Sequence, residues 1–345
     1  MSCRRIGLLC AGLVLPVYLG TILPAVGWGD SGDLALAAVT MGVPHPSGYP
    51  LYTLLGKLFT YLPVGTIPWR LGLFSALCAS GTVGLFAALL LRYTGCAPGA
   101  FVTALAFALS LTFWEGAITI EVYALHLLLV LLLATVVAWG ARGEIVAFLL
   151  GLGFAHHLTI LFLLPAFLGW IGVFRFVSCS GGEGTCRPVS LRRGHLRICL
   201  RVVAAFFAPL ALYLWLPLAA GLDRPYLWGD LTTLGGVFDQ ITGTMYHHRW
   251  SGFSLPVLGA NLERYGHDLL RQLTPFGVLA ASWGGIMLLW RGEKGRLLLL
   301  AAFFLPPFLY ALNFTIDDIE AYHLVPNGVL FFCAGVGIAS VFPRG

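Results

Sequence analysis

Ten stretches of this sequence are almost free of charge over a membrane helix's length or close to it, and that constrains the fold before anything else. At 1.5 Å of rise per residue, crossing a hydrocarbon core of about 30 Å takes about 20 apolar residues. The stretches lie at 6–27, 69–91, 98–114, 121–140, 144–155, 158–175, 199–220, 274–290, 297–314 and 324–342. Segment 144–155 is short and reads as tilted or partly re-entrant. The runs are continuous rather than alternating, so helices, not barrel strands, must satisfy the backbone inside the bilayer. Only 10% of residues are charged, against about 25% in a soluble domain. The expectation is an all-α polytopic membrane protein, a single membrane-embedded domain over 1–345 with about ten spans.

Charge sets the expected orientation. With the N-terminus in the cytoplasm, 14 of the 20 Lys and Arg fall on the cytoplasmic side and 12 of the 15 acids fall outside. That asymmetry favours ten spans with both termini cytoplasmic. The net charge of +5 is spread in this topological way and gives no reason to expect nucleic acid. Arg4 and Arg5 before an apolar run resemble a signal peptide, but the run is long for one, so an uncleaved first helix is expected. All eight cysteines fall in spans or inner loops. Cys179 and Cys186 are too widely spaced for a CxxC metal pair and read as free thiols.

The outer face holds the chemistry. The first outer loop, 28–68, begins Gly27-Trp28-Gly29-Asp30-Ser31-Gly32-Asp33. Asp30 stands at the mouth of the first span, where an acid is costly without a task or a partner. Asp33 precedes a short helical run ending near Gly42 and is read either as its N-cap or as a catalytic acid. Pro44, Pro46 and Pro50 constrain the next stretch, and His45 is pinned between two of them. A histidine held so near two carboxylates suits binding or proton transfer. Pro50 opens a helix whose Leu51, Leu54, Leu55, Leu58, Phe59 and Leu62 form one stripe. It is too short to span and reads as interfacial, with Lys57 snorkelling to headgroups.

Other outer groups are candidates to converge on this loop. Glu121 is read as a helix N-terminal charge or a site acid, with Tyr123 beside it. His156 and His157 fall at a break between spans, where a structural role competes with ligand binding. The second large outer segment, 221–273, offers Arg224, Trp228, Tyr246, His247 and Arg249. Asp317, Asp318, Glu320, Tyr322 and His323 form the last cluster, or simply a solvated loop.

Several of these runs together resemble a known family. Asp30-x-Gly32-Asp33 with Gly42-x-x-His45-Pro46-x-Gly48-Tyr49-Pro50-Leu51-Tyr52 is similar to a membrane O-mannosyltransferase-like family of GT-C glycosyltransferases. So are Trp114-x-x-Ala117-x-x-x-Glu121-Val122-Tyr123, Tyr213-Leu214-Trp215-Leu216-Pro217-Leu218 and Trp228-Gly229-Asp230. Asp317, Glu320, Tyr322 and Pro326 look similar to its later stretch. The resemblance implies a GT-C fold, a polyprenyl-phosphate sugar donor and an acid of the first outer loop, here Asp30, as catalytic base. The family usually has Glu where this chain has Asp33, and Arg where it has Ala219, so another cation would meet the donor phosphate.

The expected reaction moves mannose or a similar hexose from that donor to a hydroxyl of a protein or lipid acceptor on the extracytoplasmic face. Asp30, with Asp33, takes the catalytic role. Arg70, Arg224 and Arg249 are the phosphate candidates, with a divalent cation as another way to hold the charge. His45, Tyr49, Glu121, Tyr123, His156 and Trp228 would bind substrate. The rival readings are a transporter or lipid flippase, and a membrane scaffold. Transporters gather ionisable groups near the midplane, whereas here the acids collect at one face and His126 is the deepest ionisable candidate.

Overall fold

The computed structural model describes residues 1–169 and 193–342. Cys179, Cys186 and most of the inner loop 177–198 lie outside the described residues. Cys3, Cys10, Cys78, Cys96, Cys199 and Cys333 are free thiols. The chain is helical, with no strand among the described residues and two isolated bridges, Val43 with Leu227 and Trp250 with Phe314.

The helices, in order, are α1 (Cys3–Thr21), α2 (Ser31–Thr40), α3 (Pro50–Thr60), α4 (Ile67–Thr94), α5 (Ala97–Ala108) and α6 (Leu111–Ile118). Next come α7 (Tyr123–Ala138), α8 (Gly143–Phe154), α9 (Leu158–Gly169), α10 (Arg193–Phe207), α11 (Trp215–Gly221) and α12 (Leu234–Thr242). The last are α13 (Leu255–Trp290), α14 (Lys294–Leu312) and α15 (Leu324–Ser340). Six helical segments are long and apolar enough to cross a bilayer, or seven if the bent pair α5/α6 counts as one. The segments expected at 121–140, 144–155 and 158–175 give α7, α8 and α9, whose described helices are shorter apolar pieces. Among the described residues the count of ten is therefore not confirmed.

Two helices depart from the expected spans for identifiable reasons. The stretch 98–114 is not one rod: α5 and α6 meet at 65°. At the corner the Ser110 hydroxyl donates to the Phe107 carbonyl at 2.8 Å, a local bond that competes with the helical ladder. Helix α13 begins well before the expected start at 274. The helix breaks at Thr274, whose ψ is 162°, because the ring of Pro275 disfavours helical geometry in the residue before it.

Close helix crossings build the bundle. Gly7 on α1 faces Gly84 on α4, and a Cβ on Gly84 would lie 2.9 Å from the Gly7 carbonyl oxygen. Only a bare backbone permits that approach, the usual device where lipid supplies no hydrophobic drive between helices. The Tyr18 hydroxyl donates to the Ala108 carbonyl at 2.8 Å and ties α1 to the end of α5. Helix α3 buries Tyr52, Thr53 and Gly56. Its leucine stripe is the less buried face, with Leu58 exposed. Lys57 does not snorkel outward: its ammonium donates to the Val39 carbonyl at 2.6 Å, closing the end of α2.

Candidate functional site

Asp30 is the N-cap residue of α2, yet its carboxylate makes no capping hydrogen bond and its side chain is 48% exposed. The next residue, Ser31, is buried, and its hydroxyl donates to the Ile120 carbonyl at 3.1 Å. The Leu23 N–H donates to the Ile118 carbonyl at 3.2 Å. These two bonds dock the α6–α7 turn against the start of α2 and bring Glu121 within range of Asp30's charge.

Asp33 is not the N-cap. It sits one turn inside α2, and its carboxylate reaches across the loop to His45. Oδ2 accepts from the His45 backbone N–H at 3.1 Å and from the His45 ring Nδ1, while Oδ1 accepts from the Tyr226 hydroxyl. An ionised carboxylate can only accept, so Nδ1 carries the ring proton. His45 Nε2 is thereby turned toward Asp30, 3.4 Å from its Oδ2. The imidazole is buried between the two acids, edge-on to Tyr49 and Trp228 with ring centroids 5.0 and 6.3 Å away.

A second segment clamps this loop. The Val43 N–H donates to the Tyr226 carbonyl at 2.9 Å and the Trp228 N–H to the Val43 carbonyl at 3.0 Å. The Gln240 amide donates to the Pro44 carbonyl at 2.7 Å. At Gly42 a Cβ would run into the Tyr226 carbonyl, so glycine is what lets the two backbones meet. Trp228 stands at the rim, its indole N–H directed at Met245 Sδ, 3.4 Å away.

The acids differ in charge state. Burial alone would raise Asp33, but the His45 ring, the Tyr226 hydroxyl and the His45 N–H outweigh it and hold the carboxyl below its usual range. Glu121 is pushed up to about 8, first by burial and then by the charges of Asp30 and Asp318. It is therefore largely protonated at neutral pH and able to donate. Asp318 is raised by desolvation, then by Asp30 and Glu320.

Behind Tyr49 lies an aromatic floor. Tyr49 and Tyr123 each stand 5.7 Å from the His157 ring, and Tyr123 lies 5.8 Å from Tyr322. His156 is fully buried and its Nε2 bonds the Val122 carbonyl at 2.9 Å. That bond fixes the start of α7, a structural task. His157 Nδ1 accepts from the Thr159 N–H at 3.3 Å. Burial pushes both imidazoles down, His156 to about 4, so both are neutral.

The three candidate cations separate. Arg70 donates to the carbonyls of Val64 at 2.6 Å, Thr60 at 2.7 Å and Gly65 at 3.0 Å, clamping the α3–α4 turn. The Arg224 guanidinium lies over the Trp215 ring, 5.8 Å from its centroid. Arg249 is exposed, with one long contact, 3.4 Å, to the Thr315 carbonyl. Tyr246 lies within electrostatic reach of both Arg249 and Asp30. Glu320 is engaged elsewhere, in a two-pronged bridge to Arg264 at 2.7 and 2.8 Å. Among the described residues no group of three His, Cys, Asp or Glu side chains is arranged to hold a metal ion.

The sequence reading missed two neighbours of the acids. Tyr226 carries no motif, and only the Val43 bridge brings it to Asp33. Trp28, 98% exposed and two residues from Asp30, was visible as an aromatic beside an acid.

The comparisons with known proteins agree with the motifs. The family described as protein O-mannosyl-transferase TMEM260 N-terminal domain matches residues 30–178, which contain Asp30, Asp33, His45 and Glu121. The chain is 29% identical to the mouse (Mus musculus) protein O-mannosyl-transferase TMEM260, over 95% of its own length and 48% of that protein. It is 23% identical to the Dictyostelium discoideum protein O-mannosyl-transferase tmem260, over 94% of its own length and 43% of that protein. The chain thus spans about half the length of the curated relatives it matches. Over most of its own length the chain is similar to proteins named protein O-mannosyl-transferase.

Proposed function

We propose that this protein is a GT-C-type glycosyltransferase that moves a mannosyl residue from a polyprenyl-phosphate donor to a hydroxyl of a protein acceptor, at the extracytoplasmic face. The observation that carries the reading is the state of Asp30. It is a half-exposed carboxylate without a capping bond, beside a histidine that a buried acid holds in one orientation. The acceptor oxygen attacks the anomeric carbon as its proton passes to Asp30, and the bond from that carbon to the phosphate oxygen breaks. General base catalysis of this kind contributes about 10²–10⁴-fold.

His45 deepens the role of Asp30. With Nδ1–H committed to Asp33, Nε2 faces Asp30 Oδ2 at 3.4 Å and helps to orient that carboxylate. Glu121, protonated, is a hydrogen-bond donor within range of Asp30's charge. Arg249, exposed and with one long contact, and Arg224, whose Nε has no hydrogen-bond partner, are the candidates for the departing phosphate. Trp28 and Trp228 offer exposed rings against which a sugar or peptide can stack.

The test is transfer from a synthetic mannosyl-phosphoryl polyprenol to a serine- and threonine-containing peptide by the purified protein. Wild-type activity with loss in Asp30→Asn is expected. An Asp30→Asn variant as active as the wild type would remove Asp30 from the base role.

A further inference from the structure

A second cavity lies away from the acids. A groove of about 840 Å³ opens among α4, α7, α14 and α15, walled by Phe86, Val130, Leu299 and Val329. Its polar lining is confined to one end, where Arg92, Tyr93, Glu293, Lys294 and Arg296 stand. Arg92, Lys294 and Arg296 are exposed there. Glu293 is occupied, accepting from the Tyr93 hydroxyl and from Arg296 at 2.6 Å, so the mouth is net positive. Arg92 lies over the Trp139 ring at 4.6 Å, which holds its charge at the edge of the apolar slab. This mouth is at the end of the bundle away from Asp30. Helix α7 starts beside the site at Tyr123 and reaches the mouth at Ala138, and α14 starts at the mouth with Lys294.

The depth of the groove indicates what it takes. Along α7 it runs from Leu127 to Ala138, roughly 16 Å at about 1.5 Å per residue. That is about half a hydrocarbon core of about 30 Å, the depth of one leaflet. A cationic rim over a one-leaflet apolar slot complements a lipid with an anionic headgroup. We propose that the groove binds an anionic glycerophospholipid of the leaflet opposite Asp30, its phosphate between Arg92, Lys294 and Arg296 and an acyl chain along α7. This site is distinct from the proposed donor site and does not depend on the transferase reading.

Native mass spectrometry of the detergent-purified protein tests it, titrating dioleoyl-phosphatidylglycerol and dioleoyl-phosphatidylcholine separately. One retained phosphatidylglycerol is expected, bound at least about tenfold tighter than phosphatidylcholine, since each basic side chain near a headgroup adds a several-fold preference. Replacing Arg92, Lys294 and Arg296 together by Gln should abolish the preference. Gly328→Phe should weaken both lipids with the cations intact: Gly328 lines the groove and a Cβ there meets open space, and an unfolding curve matching the wild type checks that the fold is kept. Equal binding of the two lipids, a preference that survives the triple substitution, or unchanged binding in Gly328→Phe would each overturn the proposal. Displacement of phosphatidylglycerol by equimolar undecaprenyl phosphate would assign the groove to an isoprenoid instead.

Discussion

Asp30 and Asp33 lie three residues apart on one helix end, and replacing each by Asn should give opposite signatures. Asp33 accepts three hydrogen bonds, from Tyr226 and twice from His45, and its side chain is only 12% exposed. In Asp33→Asn the amide oxygen can still accept from the two His45 N–H groups while the amide nitrogen turns to the Tyr226 hydroxyl, so three charge-assisted bonds become neutral ones, at a loss of about 1 kcal/mol each. A net destabilisation of about 3 kcal/mol is expected. Asp30 is half exposed and has one side-chain contact, 3.4 Å from His45. An exposed pair is worth about 0–1 kcal/mol, so Asp30→Asn should unfold almost as the wild type does. Its transfer rate should nevertheless fall by about 10²–10⁴. Denaturant unfolding in a fixed detergent, run beside the transfer assay, separates the two. Equal destabilisation by both substitutions, or wild-type stability in Asp33→Asn, would refute the division of labour.

Further outcomes follow from the same geometry. Glu121 has its carboxyl raised from 4.5 to about 8, so between those values the folded state holds a proton the unfolded chain has released. Stability should fall as pH rises through that window, and Glu121→Gln should flatten the fall in pH-resolved unfolding curves. Asp33 runs the other way: its lowered pKa gives stability present above about pH 4 and lost as pH drops through the folded value. Gly42→Ala forces a methyl into the Tyr226 carbonyl and should cost more than about 1 kcal/mol, with faster hydrogen exchange at Val43 and Trp228. Arg249→Gln should raise KM for the lipid donor several-fold while leaving unfolding unchanged, whereas Arg70→Gln should lower stability first, since it strips three carbonyls of their partner.

The helical membrane class was legible in the sequence, as were Asp30, Asp33 and Glu121, which the fold brings near one another. Hydropathy registers burial in lipid or protein alike, and prolines fix local geometry without any partner. For that reason Pro50 marked the start of α3. The sequence could not show which face of α3 packs inward, because a leucine stripe turned to lipid has the same periodicity as one turned to a core. Nor could it separate Arg70, Arg224 and Arg249. All three are basic residues at the same expected face, and only the carbonyls around Arg70 reveal that it is spent on a turn. Tyr226 was invisible because its meeting with Asp33 is purely tertiary. The spans failed where helices bend or end early: a window of apolar residues reads across the α5–α6 corner as though the chain were straight.

The pairing of Val43 with the strand-like segment around Leu227 sets an order of events during synthesis. Residues 30–50 leave the ribosome long before Tyr226, Trp228 and Gln240 exist, so the nascent first loop has neither its backbone partner nor the phenol that holds Asp33. The pocket is thus completed only after more than half the chain has been inserted. A product halted near residue 178 would carry the whole family-matched segment and its acids, yet lack the staple that aligns them.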